Sequence, residues 1–186
     1  MPITAADASV RPARPADAPA LGELQSRSWR LRYDGVLPSE TLDTLEPERL
    51  AQAWASAVSS PPSGRHRVLV ACAGADVVGF VASGPAEDSD LDAAVDAELH
   101  VFLVAPDRMS EGHGSRLLAA LVDHLRTDGF TRAYTWLTSD DERVRGFLES
   151  TGWAPDGAHR SLDLRGDGTV VVNEVRLHTD VTGPAG

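Results

Sequence analysis

The chain of 186 residues contains no lysine, one cysteine, and ten aromatic residues other than histidine, counting four Phe, four Trp and two Tyr. The single Cys72 excludes an internal disulfide framework and a cysteine-rich zinc site, and it is compatible with a reducing compartment. With lysine missing, all 17 basic residues are arginine, against 28 Asp and Glu, for a formal net charge of -11. That balance argues against nucleic-acid binding, which needs clustered basic groups to displace condensed counterions. It suits a cationic small molecule or a peptide amine better, although solubility alone accounts for the sign. No stretch approaches the roughly 18 uninterrupted apolar residues of a membrane span. The start, Met1 to Val10, lacks a basic segment followed by an apolar one. A cytoplasmic protein without a membrane partner is the expectation, and the length suits one domain of roughly 100–200 residues.

What is present is an informative order of elements. Residues 1–8 are small and polar and read as a disordered tail. A short strand at residues 9–12 precedes a helix opening near Asp17, in which Ala20, Leu21, Leu24, Ser28 and Leu31 fall at three- and four-residue steps, the spacing of one buried face. A second helix is expected over residues 47–58, ending at the loop Ser59-Ser60-Pro61-Pro62-Ser63-Gly64. The pattern then becomes extended. Residues 67–72 and 77–83 are short β-branched runs joined by Ala73-Gly74-Ala75-Asp76, which reads as a hairpin. An acidic, solvated loop follows, and then the apolar run ELHVFLV at residues 98–104, expected to be a strand covered on both faces. A helix over residues 114–127 carries Leu117, Leu118, Leu121, Val122 and Leu125 in a 3.6-residue stripe. A strand at 133–138, a helix at 141–150 stopped by Gly152, and strands at 159–164 and 169–178 complete the series. The whole reads as an α/β (α+β) domain over residues 9–180, with a mixed sheet of about seven strands, about four flanking helices and a flexible tail at 181–186.

The chemistry concentrates in ELHVFLVAPDRMSEGHGSRLLAALVDHL. An apolar strand ends at Val104, and Gly112-His113-Gly114-Ser115 opens an amphipathic helix. N–H groups at a helix start lack intrahelical partners and lie at the positive end of the dipole, so they form an anion site that two glycines let a phosphate approach. An ordinary glycine-containing helix entry gives the same pattern. Glu98, however, is a carboxylate in an apolar run where packing gives it no reason to be. By alternation Glu98, His100, Phe102 and Val104 share one strand face, and Leu99, Val101 and Leu103 the other.

In these segments the sequence resembles the GNAT superfamily of acetyl-CoA-dependent N-acetyltransferases, over roughly residues 10–180. The family's Arg/Gln-x-x-Gly-x-Gly/Ala motif falls on Met109-Ser110-Glu111-Gly112-His113-Gly114. A second segment, Asp141-Glu142-Arg143-Val144-Arg145-Gly146-Phe147-Leu148-Glu149-Ser150-Thr151-Gly152-Trp153, resembles the family helix Asn-x-x-Ala-x-x-Phe-Tyr-x-x-x-Gly-Phe. Trp29, Tyr33, Gly35, Leu37-Pro38 and Trp54 resemble an N-terminal pattern of many bacterial members. The resemblance implies transfer of an acetyl group from acetyl-CoA to a primary amine of a small molecule or peptide in a ternary complex, without a metal. It implies donor contacts at Phe102, Leu103 and Val104, at Met109, Ser110, Glu111, Gly112, His113, Gly114, Ser115 and Arg116, and at Asp141 and Phe147. It places the acceptor near Trp29, Tyr33 and His100 and makes Glu98 the base. Family members are often dimers, and the terminal strands offer an edge for pairing.

Several positions depart from the family. Met109 replaces Arg or Gln, and Glu111 sets a negative side chain beside the expected pyrophosphate, with Arg108 and Arg116 available to supply the missing charge. Asp141 replaces Asn, and Leu148 replaces the Tyr that commonly protonates the departing thiolate. These keep open a second reading, a catalytically silent acyl-CoA-binding module. A nucleotide P-loop is a poorer one, because the Lys-Ser/Thr pair is missing. Glu98 has an alternative as a strand-end carboxylate paired to an arginine, His100 as a core histidine, and Trp29 and Tyr33 as helix packing. The His113 side chain is expected to be incidental, only its N–H being needed.

Overall fold

Strand pairing organises the chain. The computed structural model describes residues 8–35 and 37–183. Seven strands form one mixed sheet: β1 (Ala8–Pro12), β2 (Arg67–Ala73), β3 (Asp76–Pro85), β4 (Asp96–Val104), β5 (Arg132–Thr138), β6 (Ala154–Asp163) and β7 (Val171–Asp180), in the order β1-β2-β3-β4-β5-β7-β6. β1 with β2, β2 with β3, β5 with β7 and β6 with β7 are antiparallel, and β4 with β5 is parallel. A parallel pair needs a crossover, which helix α4 (His113–Thr127) supplies. The other helices are α1 (Ala18–Tyr33), α2 (Ser39–Asp43), α3 (Pro47–Ser59) and α5 (Glu142–Ser150). The fold class is the one expected, with the short α2 as an addition. Its five residues are too few to show a helical period.

The chain divides into two compact units, one reaching to Ser83 and including Val101–Asp123, the other comprising Gly84–His100 and the residues from His124 onward. The core of the first gathers Leu21 and Leu24 of α1, Val70 and Cys72 of β2, Phe80 of β3 and Ala105, with Trp54 of α3 packed against them. Each large side chain buried this way contributes about 1.5–3 kcal/mol of transfer free energy. Trp54 meets Phe80 edge-on at 5.0 Å and donates its Nε1–H to Gln25 Oε1 at 2.6 Å, so it packs rather than lining a pocket. α1 and α3 approach so closely that a Cβ on Gly22 would lie 2.3 Å from the Pro47 carbonyl oxygen. The buried face of α1 is built from Ala18, Leu21, Leu24 and Gln25, whereas Leu31, expected on it, is 63% exposed. Asp17 does not cap α1 with its side chain. It accepts two bonds from Arg11, at 2.7 and 2.8 Å, and one from the Arg14 N–H.

In the second unit β5 pairs with β7 along its whole length, and β6 flanks β7. β6 begins at Ala154, five residues before the sequence pattern suggests. Its register shifts between Pro155 and His159, and Gly157 takes φ +89° there. Pro155 and Gly157 are strand-breaking residues that hide a bulged strand from pattern reading. At the C-terminal end, Val181 is buried, its N–H donates to the Thr131 carbonyl at 2.9 Å, and its own carbonyl accepts from Arg126. The flexible tail expected from 181 is therefore held through Val181. The other expected tail, 1–8, gives up Ala8 to β1. Residues 1–7 and 184–186 lie outside the described residues. No described helix is long and apolar enough to cross a membrane.

Candidate active site

The first unit contains the strand-turn-helix passage. β4 reads buried at Ala97 and Leu99 but only half-buried from Val101 to Val104, so its second half is not covered on both faces as expected. Its register with β5 includes the pairs from Asp96↔Arg132 to Leu99↔Thr135. On the inner side, Val101 and Leu103 pack on the Phe80 core. A Cβ on Gly79 would stand 2.8 Å from the Leu103 carbonyl oxygen, so glycine there permits β3 and this stretch to touch.

After Val104 the chain is anchored by the Ala105 N–H, which donates to the Val78 carbonyl at 2.8 Å, and Pro106–Arg108 form one 3-10 turn. Ser110 and Gly112 then take positive φ, 66° and 82°. Alternation of this kind turns successive N–H groups inward and makes an anion-binding concavity. The first bond of the helix, Arg116 N–H to Gly112 carbonyl at 3.1 Å, leaves the N–H groups of His113, Gly114 and Ser115 without acceptors inside the helix. Arg116 folds back along this turn, its Nη1 donating to the Glu111 carbonyl at 3.1 Å.

Glu111 does not stand against the turn as an unbalanced charge. Its Oε2 accepts from Arg108 Nε at 3.0 Å and lies 3.2 Å from His113 Nε2. The Arg108 guanidinium, with His113 beside it, holds the Glu111 carboxyl below the usual carboxylate range. The His113 side chain, expected to be incidental, is only 2% exposed and is the inner post of this arrangement. The turn thus gathers groups that could hold a diphosphate: helix N–H groups, a glycine of positive φ, Arg116 alongside and a Glu111 carboxylate that is already paired. Also in this unit, Trp29 and Tyr33 sit in the last turns of α1, edge to face at 6.4 Å, with Arg32 over the Tyr33 ring.

The second unit contains Glu98, His100, Asp141 and Phe147. Glu98 lies near the start of β4 with its side chain 12% exposed. Its Oε2 accepts the Glu87 N–H at 3.3 Å, and its Oε1 faces His100 Nδ1 at 3.8 Å. His100 is exposed, so it is not a core histidine. Register places Tyr134 of β5 beside Glu98 and His178 of β7 beside Tyr134, and the last two rings stack at 5.9 Å. Burial pushes the Tyr134 phenol up, so it stays protonated at neutral pH. Trp136 is half-buried. Arg160 lies over its ring at 4.1 Å, and its Nε1–H donates to Asp88 at 2.8 Å.

The acidic segment before β4 is largely exposed, as expected of a solvated loop, but its carboxylates are tied to arginines. Asp96 is buried and paired with Arg132 at 2.8 Å, while Asp88 and Asp90 bond to Arg176. Asp141 caps α5, accepting the Val144 N–H at 3.0 Å. Phe147 is half-buried on α5, and Leu148 is core at 1% exposure. Sequence reasoning missed Arg176, Tyr134 and Trp136, although period-two alternation put Tyr134 and Trp136 on one face of their strand. Among the described residues no group of three or more His, Cys, Asp or Glu is placed to hold a metal ion.

The model of the acetyltransferase (GNAT) family matches residues 20–153. An uncharacterized N-acetyltransferase of Bacillus subtilis strain 168, YuaI, is 24% identical over 136 residues, 73% of this chain and 75% of its own. The PaiA N-acetyltransferase of Thermoplasma acidophilum, solved in complex with coenzyme A, superposes with a TM-score of 0.69 at 17% identity, covering 93% of this chain and 98% of that one. The acetyltransferase yncA of Salmonella typhimurium, described as putative and solved with its cofactor acetyl-CoA, gives 0.66 at 19% identity over 96% and 97%. At such identities the two solved structures show likeness of fold, and the match over residues 20–153 is what assigns the family. The chain belongs to the acetyltransferase (GNAT) family, as an N-acetyltransferase.

Proposed function

We propose that the protein moves an acetyl group from acetyl-CoA to a primary amine of a small molecule or peptide by direct attack in a ternary complex, residues 9–180 acting as one catalytic domain. The observation that carries the reading is the turn into α4, where Ser110 and Gly112 take positive φ and Glu111 is drawn back onto Arg108 and His113. Bound there, acetyl-CoA supplies the activated acyl group. The N–H groups of His113, Gly114 and Ser115 take the diphosphate, with Arg116 adding charge. A main-chain N–H in Phe102–Val104 donates to the thioester oxygen as negative charge develops, a contribution of a few kcal/mol.

An alkylammonium has a pKa near about 10.4 and must lose a proton before it can attack. Glu98 takes that proton, directly or through one water, with its Oε1 as the acceptor because Oε2 is engaged by the Glu87 N–H. His100 and the Trp29–Tyr33 pair contact the acceptor. No acid is required at position 148, since a thiolate of pKa about 8.5 leaves unaided near neutral pH. The burial of Leu148 favours one other reading, a silent acyl-CoA-binding module. Thiol release from acetyl-CoA, followed with spermidine, kanamycin, methionine and a dipeptide with a free N-terminus, separates the two. The enzyme reading expects amine-dependent release, cut a hundredfold or more in Glu98→Gln. CoA binding without any such release supports the silent module.

A further inference from the structure

One heavily paired side chain of the second unit lies outside every residue assigned a role above. Arg176 on β7, 6% exposed, donates Nε to Asp156 at 2.7 Å, Nη1 to Asp88 at 3.0 Å and to Asp90 at 2.9 Å, and Nη2 to Asp90 at 2.6 Å. Its guanidinium also lies over the rings of Tyr134 and Trp136, at 5.3 and 5.4 Å. One carboxylate would balance the charge of a buried arginine, and additional ones add like-charge repulsion. What the arrangement does achieve is to fasten the connection between β3 and β4. That connection has no strand or helix of its own. Its two ends are tied to β4, by Ala86 N–H to the Asp96 carbonyl and Asp92 N–H to the Asp96 carboxylate, each at 2.9 Å. Between those ends, Asp88 and Asp90 reach Arg176, and Asp88 also accepts from Trp136. Glu87, the residue before Asp88, directs its N–H at Glu98 Oε2.

We propose that Arg176 is a positioning residue for acetyl transfer: by fixing Asp88 and Asp90 on β7 it sets the Glu87 N–H, and through it the orientation of the Glu98 carboxylate. The inference rests on Glu98 being the base. Arg176 touches no reacting atom and acts only through the loop. The other ionisable groups around Glu98 are His100 on β4, Tyr134 and Arg132 on β5, His178 on β7, Asp96, and the loop aspartates themselves. Loosening the loop withdraws the Glu87 N–H that orients the Glu98 carboxylate.

The test follows thiol-release kinetics on the fastest amine of the panel, with CoA affinity measured alongside. In Arg176→Lys kcat is expected to fall about tenfold, while KM for the amine and CoA affinity stay within twofold. Asp90→Asn, on the exposed side of the loop, is expected to do the same more weakly and decides the matter if Arg176→Lys does not fold. In the Glu98→Gln background neither substitution should slow the residual rate further. Unchanged kcat in a folded variant, with Glu98→Gln slow, overturns the role of Arg176 alone. Wild-type turnover in Glu98→Gln overturns the base assignment and this inference with it.

Discussion

Glu98 has its two oxygens in different surroundings, one against a main-chain N–H and the other towards His100 and solvent. That asymmetry suits the base role proposed for Glu98: one oxygen held for orientation, one available for the proton. Asp17 shows the opposite use of a carboxylate. Arg11 and the Arg14 N–H hold it below its usual value, and the stabilisation lies wholly in the ionised form. Its contribution is therefore complete above the unfolded value near about 3.9 and disappears as pH falls through the lower folded value. Asp17→Asn is expected to lose about 1–2 kcal/mol at pH 7 by chemical denaturation, with the gap to wild type closing in acid. A constant gap from pH 7 to pH 2 would mean that the ion pair is not its source. At this scale the sequence disclosed the odd carboxylate in ELHVFLV, because a charge in an apolar run is conspicuous. It did not disclose Arg176, 78 residues further along, because a buried arginine reads like any other until its partners are in place.

Among the elements, α4 and the strand before it were legible for a clear reason. A leucine stripe with 3.6-residue period and a glycine pair at its start are local signals, and the structure reproduces both. β6 was not legible before His159, because its bulge is stabilised by pairing with β7 and not by local propensity. The exposure of the acidic stretch was legible, but its pairing was not, because its partners, Arg132 and Arg176, are distant in sequence. Helix packing supplies a further expectation. In Gly22→Ala the new methyl would overlap the Pro47 carbonyl and the Ala51 main chain, so α1 and α3 must part. Overpacking of this kind costs about 1–3 kcal/mol, and a thermal melt checks it. An unchanged Tm would show that the two helices slide apart freely. In the same unit, Gly79→Ala pushes on the Leu103 carbonyl and is expected to weaken CoA binding while α4 stays folded, as read by calorimetry and circular dichroism.

The molecule as a whole carries net charge -11, which raises the local concentration of cations and opposes anions. Raising the salt concentration from about 0.05 to 0.5 M is expected to increase KM several-fold for a polycationic amine and to leave it nearly unchanged for a zwitterionic amino acid, because the Debye length shrinks from over 10 Å to a few ångströms. Equal responses would remove charge from acceptor choice. Donor binding has to succeed against the same field, which is why the N–H groups opening α4, Arg116 and the pairing of Glu111 matter beyond their own turn. Calorimetric titration of CoA into the wild type and into Gly112→Val tests this most directly. Saturable one-site binding in the wild type, weakened tenfold or more where a branched side chain meets the Arg116 guanidinium and a φ of +82°, is the expected result. Equal affinity in the two proteins, or no heat from the wild type at millimolar CoA, would contradict it.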